Sequence, residues 1–379
     1  MSAESQAGRI AIVEVSRPAR LREFVELPYR LYATDPRWIP ELRRDAVRRL
    51  SPEYNPFLAH AEMALFLARR ADGSTCGRIA AIEDRAHNDV HTEQAGWFGF
   101  FEAADAASAG ALLEAVERWA IARGARVIRG PVNPSLNDTA GLLVDGFDEP
   151  PYLLMPYNPR VYAEYIEGEG FRKAKDLWAW DLDLTRPLGG RIVRLAGRAR
   201  RRSGVRVRTV DMRAYDDELG RLLDVYREAW EDNWGFVPPT QAEVRQFADD
   251  LKPVIDPEIV LIAEIDGRVA GCVVTLPDVN QVLARMGGSL LPFGLWHFLR
   301  RRRIIDRARV VLLGVLPAYR RAGLYPLLVE EVYRRGIARG YRRAELSWTL
   351  EDNDEINAGI AASGGRHYKT YRLYEKPIG

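Results

Sequence analysis

Residues 309–325 read RVVLLGVLPAYRRAGLY, an apolar run followed by a loop that contains arginine and glycine. The apolar run 309–316 predicts a strand, and Pro326 suits the first turn of a helix predicted over 325–339. Between them, Gly323 lets the backbone approach a ligand closely, and neighbouring arginines can pair with phosphate oxygens. Because helix N-termini bind anions through backbone N–H groups, this strand, loop and helix predict a pyrophosphate-binding loop.

The elements around this loop follow a regular order. Apolar periodicity and turn signals predict further helices near 216–231, 240–251 and 353–362. They predict further strands near 258–264, 268–275 and 343–349, with a closing pair of strands over 366–376. Helices packed on a mixed sheet are the α/β architecture that this order indicates.

The first half of the chain repeats these features. The hairpin pattern of 260–274, VLIAEIDGRVAGCVV, resembles ALFLARRADGSTCGRIAAI at 64–82. The helix and strand pattern of 327–346 resembles 112–130, and Ile121-Ala122-Arg123-Gly124 recurs as Ile337-Ala338-Arg339-Gly340. Two matches in the same order indicate a duplication.

The duplication predicts an α/β fold of two tandem domains, each a mixed, mostly antiparallel sheet flanked by helices. We expect a first domain over 1–185, a basic linker over 186–208, and a second domain over 209–379 with a hydrophobic insertion at 279–306. The first domain carries FFEAA at 100–104 where a phosphate loop is expected. An acidic residue without arginine or glycine is a poor phosphate cradle, so only the second domain is predicted to bind phosphates.

Composition excludes several classes of protein. The 379 residues carry 55 basic and 53 acidic side chains, so the net charge of +2 argues against a nucleic-acid coat. Cys76 and Cys272 are too few for a disulfide scaffold, and no metal-ligand spacing stands out, so no metal is expected. The first 20 residues lack the apolar core of a signal peptide, which predicts a cytoplasmic location.

The sequence Val315-Leu316-Pro317-Ala318-Tyr319-Arg320-Arg321-Ala322-Gly323-Leu324-Tyr325 resembles the signature of the GNAT superfamily of acyl-CoA-dependent N-acyltransferases. The resemblance covers about 210–379 well and about 10–184 as a degenerate copy. Tyr325 departs from it, because glycine or alanine is usual there. The resemblance implies acyl-CoA as co-substrate, bound by Leu313, Val315, Arg320, Arg321, Ala322, Gly323, Leu324, Tyr325, Asn353 and Asn357.

The resemblance also implies catalytic groups. A strand N–H near Val315 would polarise the thioester carbonyl, and a helix tyrosine seven residues after the asparagine would protonate the departing thiolate. Counted from Asn353, that position is Ile360, so the usual acid is missing. The replacement candidates are Tyr371, Tyr368, His367, Asp138 and Asn137. Glu62, Glu83 and His87, which flank the first hairpin, are further candidates for deprotonating an ammonium.

The insertion 279–306 combines apolar residues with a basic end. It reads VNQVLARMGGSLLPFGLWHFLRRRRIID and is too short and too interrupted by glycine and proline to span a bilayer. It fits an interfacial anchor whose apolar groups enter the membrane while Arg300–Arg303 meet anionic headgroups. The eight arginines of 191–208 offer a second basic surface. A peripheral position on the inner face of the cytoplasmic membrane is therefore predicted.

Further segments narrow the resemblance to the double-GNAT group that contains the bacterial ceramide synthases. These segments are Leu27–Tyr32, Asn55–Phe57, Gly77–Ile82, His87-Asn88, Gly99–Phe101 and Asn137-Asp138. The group implies N-acylation of a long-chain amine, a sphingoid base, by a fatty acyl-CoA. Two alternatives stay open: an acetyltransferase for a small amine or protein amine, and a non-catalytic acyl-CoA or lipid-binding module.

Overall fold

The computed structural model describes residues 10–15, 20–288 and 294–379. The chain forms two compact units. Unit 1 contains residues up to Asp176, together with Leu283–Leu295 and Thr370–Gly379. Unit 2 contains Leu177–Val282 and Trp296–Lys369.

The described residues form strands and helices, numbered in chain order. The strands are β1 (Ala11–Glu14), β2 (Ala61–Arg69), β3 (Thr75–Asp84), β4 (Ala95–Ala103), β5 (Val127–Gly130), β6 (Leu142–Asp145), β7 (Arg172–Asp183), β8 (Val205–Thr209), β9 (Val260–Ile265), β10 (Arg268–Pro277), β11 (Arg307–Val315), β12 (Arg343–Leu350) and β13 (Arg366–Pro377). The helices are α1 (Leu21–Leu31), α2 (Arg43–Arg49), α3 (Arg85–His91), α4 (Ala106–Ile121), α5 (Val161–Gly168), α6 (Gly190–Arg200), α7 (Tyr215–Trp230), α8 (Gln241–Leu251), α9 (Asn280–Leu283), α10 (Gly294–Leu299), α11 (Arg301–Ile304), α12 (Leu324–Ala338) and α13 (Asp354–Ser363).

The sheet of unit 1 has the strand order β1-β2-β3-β4-β5-β13, and β6 pairs with β13 as well. Neighbouring strands are antiparallel except β4 and β5, which are parallel. Helix α4 buries Leu112, Leu113 and Val116 against this sheet, where they meet Phe98 and Ala81. The three- and four-residue spacing of these apolar side chains is what gives α4 its buried face.

The sheet of unit 2 has the order β8-β9-β10-β11-β12-β7. Neighbours are again antiparallel except one pair, β11 and β12. Helix α12 packs Leu324, Leu327 and Leu328 against one face of the sheet, and α7 packs Val225 on Ile262 of β9 and Cys272 of β10. Alternate strand residues therefore supply two different cores.

The two sheets share one pattern: three antiparallel pairings, one parallel pairing, then one antiparallel pairing. This confirms the predicted α/β fold of two tandem domains with mixed, mostly antiparallel sheets. The closing element differs from the prediction, because 366–377 is a single strand. Most of it, from Thr370 onward, completes unit 1, whereas β7 from the first half of the sequence contributes Leu177–Asp183 to unit 2.

The stretch 186–208 also differs from the predicted basic linker. It contains helix α6 and the start of β8, and it belongs to unit 2. Ala196 and Ala199 of α6 are buried in the same core as α12. The arginine-rich composition of this stretch conceals a narrow apolar stripe, which is enough to attach the helix to the core.

Candidate active site

Strands β11 and β12 of unit 2 pair over only part of their length, and we call the place where they separate the fork. They pair in parallel only from Arg307 to Val310 on β11, opposite Arg343 to Leu346 on β12. An irregularity in the β10–β11 register, between Val274 and Thr275, falls at the same level. Within the described residues, β11 beyond Val310 pairs on one side only, with β10. The predicted donor-binding residues Leu313 and Val315 lie on this half-paired segment, whose free edge can accept an extended, amide-bearing ligand.

The predicted phosphate loop joins this segment to α12. Pro317–Ala322 forms a short 3₁₀ helix, and Gly323 then adopts a left-handed conformation with φ of 77°. Helix α12 begins without a side-chain cap, which leaves its first backbone N–H groups available to an anion. Arg320 and Arg321 are exposed, and neither makes an ion pair with any residue in the described part of the chain.

The helix residues of the predicted donor site have different surroundings. Leu324 is buried in the core, whereas the ring of Tyr325 lies over Gly359 of α13, where a Cβ atom would come within 2.9 Å of its hydroxyl. A glycine on α13 thus accommodates the tyrosine that replaces the usual small residue. Burial raises the pKa of Tyr325 to about 12, so its hydroxyl stays protonated at neutral pH.

The two predicted asparagines have structural partners. Asn353 caps α13 by accepting a hydrogen bond from the backbone N–H of Ile356 at 3.3 Å. Asn357 is buried, accepts from the Thr349 hydroxyl at 2.7 Å and donates to the Leu350 carbonyl at 2.9 Å. Both side chains therefore fix the start of α13, and their predicted contact with the donor stays a prediction.

A buried polar network lies where β11 and β12 separate. Glu345 on β12 is opposite Arg309 on β11, with the guanidinium 3.6 Å from the carboxylate. The Ser347 hydroxyl accepts from Arg309 Nε at 2.8 Å and donates to Glu345 Oε1 at 2.6 Å. The hydroxyl of Tyr368 donates a short hydrogen bond to Glu345 Oε2. Lys369, also fully buried, carries a positive charge that favours the ionised form of Glu345.

This network has the properties of a proton acceptor. Burial raises the pKa of Glu345 above its ordinary value, although Arg309 and the two hydroxyl donors oppose the rise. Tyr368 is half-buried, whereas Arg309 and Glu345 are buried. Of these three residues, only the tyrosine is therefore partly accessible from outside the network. A carboxylate with a raised pKa is a better base near neutral pH.

The other predicted catalytic residues lie elsewhere. His367 is exposed, rests against the rings of Trp178 and Trp180, and donates from Nε2 to the Lys369 carbonyl at 3.0 Å. Tyr371 is fully buried in unit 1. Tyr368 is therefore the predicted candidate that the structure brings into the network of unit 2.

Asn137 and Asp138 belong to unit 1, in the turn that follows β5. Asp138 is exposed and accepts from the Ser135 hydroxyl at 2.6 Å, while Asn137 is half-buried. Two of the alternative bases near the first hairpin are paired, Glu62 with Arg123 and His87 with Glu93 at 2.6 Å, and the third, Glu83, is half-buried on β3. Burial lowers the pKa of His87, so it is mainly neutral at neutral pH.

Sequence reasoning missed Arg309, Glu345, Ser347 and Lys369. The available signal was a charged residue inside a strand that is otherwise apolar, as in RVVLLGVL from 309 and AELSW from 344. Charged side chains are rarely buried without a partner, so two of them in neighbouring strands predict a pair. The tyrosine partner comes from β13, which no local pattern connects to β12.

The equivalent fork in unit 1 is filled by its own chain. Strands β4 and β5 pair only from Ala95 to Trp97, and the segment after β5 then continues along β4. Val132 N–H donates to the Phe98 carbonyl at 2.9 Å, and a Cβ atom on Gly99 would lie 1.6 Å from the Val132 carbonyl oxygen. Among the described residues of unit 1, no strand edge comparable to that of β11 is left open at this point.

The helix that follows β4 is also closed to anions. Residues 100–103 of the expected loop position lie in β4, and α4 begins at the cap residue Asp105, whose carboxylate accepts from the Ser108 N–H at 2.8 Å. Glu102 is buried and accepts hydrogen bonds from Tyr32 at 2.7 Å and Tyr162 at 2.9 Å. A carboxylate at the helix N-terminus competes with phosphate, in contrast to the uncapped α12.

Comparison with known proteins shows which family this chain resembles. The Acetyltransferase (GNAT) family matches residues 220–358. A bacterial ceramide synthase from Caulobacter vibrioides is 41% identical over 389 residues, which cover all of both chains. Protein YghO from Escherichia coli is 36% identical over 368 residues, 94% of this chain and 93% of that protein.

Solved structures show the same fold. A tandem GNAT protein from the clavulanic acid biosynthesis pathway superposes with a TM-score of 0.59 at 14% identity, over 98% of this chain and 99% of that one. A GCN5-related N-acetyltransferase from Sphaerobacter thermophilus gives a TM-score of 0.54 at 14% identity, over 97% and 96% of the two chains.

The chain therefore belongs to the GNAT family and is an N-acyltransferase that uses acyl-CoA and an amine acceptor. Within that family it is a full-length relative of the bacterial ceramide synthase from Caulobacter vibrioides.

Proposed function

We propose that this N-acyltransferase joins a fatty acyl group to the amine of a sphingoid base, a long-chain amino alcohol. The full-length 41% identity to a bacterial ceramide synthase carries the choice of acceptor. The buried network at the fork of unit 2 supports the chemistry, because the amine nitrogen must lose a proton as the amide forms.

The donor is assigned to unit 2. Its pyrophosphate lies at Gly323 and the uncapped start of α12, and its pantetheine arm runs along the half-paired segment of β11 toward Val310. This direction brings the thioester to the end of the fork where Glu345 lies. Unit 1, with its filled fork and its carboxylate-capped helix, binds no CoA in this proposal.

The reaction is a direct transfer. The neutral amine nitrogen attacks the thioester carbon, the new C–N bond forms, the C–S bond breaks, and the sulfur leaves as CoA thiolate. The proton released by the amine passes to Tyr368 as Tyr368 delivers its own proton to Glu345, so the carboxylate is the final acceptor. Strand N–H groups beyond Val310 stabilise the developing oxyanion.

A small or protein amine acetylated from acetyl-CoA is the alternative reaction. The two can be separated by supplying the purified protein with palmitoyl-CoA or acetyl-CoA and with sphinganine or a short amine. We expect mass spectrometry to detect the fatty amide of sphinganine, with kcat/KM for palmitoyl-CoA far above that for acetyl-CoA. Faster acetylation of the short amine would contradict the long-chain assignment.

We further propose that α10 and α11 bind an anionic membrane surface. Trp296 and Leu299 are exposed, and Arg300 lies over the Trp296 ring at 4.3 Å. Arg302 and Arg303 make no ion pair with described residues. Aromatic and apolar groups beside free arginines are typical of interfacial binding, which suits an acceptor dissolved in lipid.

Other parts of the predicted insertion do not contribute to such a surface. Val282 and Met286 are buried, while Leu290, Leu291 and Phe293 lie outside the described residues. No helix in the described ranges combines the length and apolarity that a bilayer crossing requires. The proposal therefore concerns peripheral contact through α10 and α11 only.

Vesicle flotation tests this contact. Replacing Arg302 and Arg303 by glutamine should reduce binding to vesicles rich in phosphatidylglycerol by about 10-fold or more, at about 1 kcal/mol per arginine. The matched control replaces Arg191 and Arg194, which are exposed and equally without an ion pair among the described residues. Equal flotation of the two variants would remove α11 from the membrane surface.

A further inference from the structure

Helix α6 carries positive charge that the fold does not use. Arg200 is paired with Glu330 and lies 3.6 Å from Glu331, so it attaches the helix to α12. Arg198 and Arg202, by contrast, are exposed and make no ion pair anywhere in the described ranges. Two unpaired guanidinium groups one turn apart repel each other, so the fold gains little from keeping them together.

Arg198 and Arg202 lie close in sequence to Ala199, which contacts the phosphate loop. Ala199 is buried, and its Cβ is 3.2 Å from the position that a Cβ on Gly323 would occupy. Arg198 directly precedes Ala199. Arg202 follows it by one turn, and its N–H donates to the Ala199 carbonyl at 3.0 Å. Arg198 and Arg202 therefore both lie within one turn of the residue that contacts the loop.

The charge on the donor explains why a second basic group would be needed. CoA carries a pyrophosphate and, separately, a phosphate monoester on the 3′ position of its ribose. The pyrophosphate can be bound by the start of α12 with Arg320 and Arg321, a compact site of backbone N–H groups and two side chains. The monoester is a distinct dianion that this site leaves unneutralised.

We infer that Arg198 and Arg202, at the end of α6, bind the 3′-phosphate of the CoA ribose and make the enzyme selective for CoA over donors that lack this phosphate. The guanidinium matches phosphate geometry and forms charge-assisted hydrogen bonds. The inference rests on the assignment of acyl-CoA to unit 2.

Calorimetric titration with CoA and with 3′-dephospho-CoA tests this inference without requiring turnover. The wild-type protein should bind CoA about 10- to 100-fold more tightly than dephospho-CoA, the range expected for charge-assisted hydrogen bonds. The double variant Arg198→Ala with Arg202→Ala should lose that preference through weaker CoA binding alone. The control, Arg191→Ala with Arg194→Ala near the other end of α6, should keep it.

The outcomes separate the inference from the proposed function. Equal affinity of the wild-type protein for both ligands, or an unchanged preference in the double variant, would overturn the inference and leave the donor assignment standing. A double variant that keeps the preference but no longer floats with phosphatidylglycerol vesicles would assign these arginines to lipid headgroups instead, which also overturns it. Failure of the wild-type protein to bind either ligand would contradict the donor assignment itself.

Discussion

The Glu345→Gln variant is expected to form amide with a kcat about 10²- to 10⁴-fold below that of the wild-type enzyme, the usual contribution of a positioned base. Glutamine keeps the size of the side chain, and its amide oxygen can accept from one of the two hydroxyls, Ser347 or Tyr368, but it cannot take up a proton. KM for acyl-CoA should change little, because the loop at Gly323 is untouched.

The pH dependence should change in the same variant. A base must be ionised to act, and burial raises the pKa of Glu345. Wild-type kcat should therefore fall on the acid side at a pH above the ordinary glutamate value of about 4.3. This acid limb should disappear from the residual activity of Glu345→Gln.

Asp181→Asn is the matched control for this prediction. Asp181 lies opposite Glu345 in the β7–β12 register, is similarly buried, and is paired with Arg343 at 2.9 Å. Both substitutions remove a carboxylate from an ion pair, so both should lower the thermal unfolding temperature. A loss of activity equal in the two variants would show that Glu345 has only a structural role.

The second large effect is expected for Gly323→Ala. At φ of 77° an alanine is strained by about 1–2 kcal/mol, and its Cβ would lie 3.2 Å from that of Ala199. The displaced loop should lose charge-assisted hydrogen bonds to the pyrophosphate. KM for acyl-CoA is therefore expected to rise about 10- to 100-fold, with a smaller change in kcat.

Gly340→Ala separates strain from binding. Gly340 follows α12 at φ of 92°, and a Cβ there would meet no atom within 4 Å. The two variants should have comparable losses of stability in thermal unfolding, while only Gly323→Ala raises KM. A similar KM for both would mean that the loop is not the phosphate site.

The local parts of this molecule could be predicted from the sequence. The strand, loop and helix around Gly323 are contiguous in sequence. Apolar periodicity predicts the strand and the helix, and the glycine predicts the loop between them. The duplication follows from two repeated segments, and the missing phosphate loop of the first half follows from an acidic residue at 102.

The long-range parts could not be predicted. Which sheet receives β7 or β13 depends on strand pairing between residues more than 150 positions apart, such as Arg343 and Asp183. The contact between Tyr368 and Glu345 could not be predicted either, because it depends on where β13 lies in the structure. Helix α6 was obscured for another reason, because its arginines outnumber the few apolar residues that attach it to the core.

A crystal structure with a non-hydrolysable palmitoyl-CoA analogue, in which a thioether replaces the thioester, would show directly where the acyl donor binds. We expect one bound analogue per chain, with its pyrophosphate at Gly323, its pantetheine along Leu313–Val315 and its sulfur near Glu345. An analogue bound to unit 1 would contradict the assignment of the donor to unit 2, and one in unit 2 whose sulfur lies away from Glu345 and Tyr368 would contradict their role in the transfer.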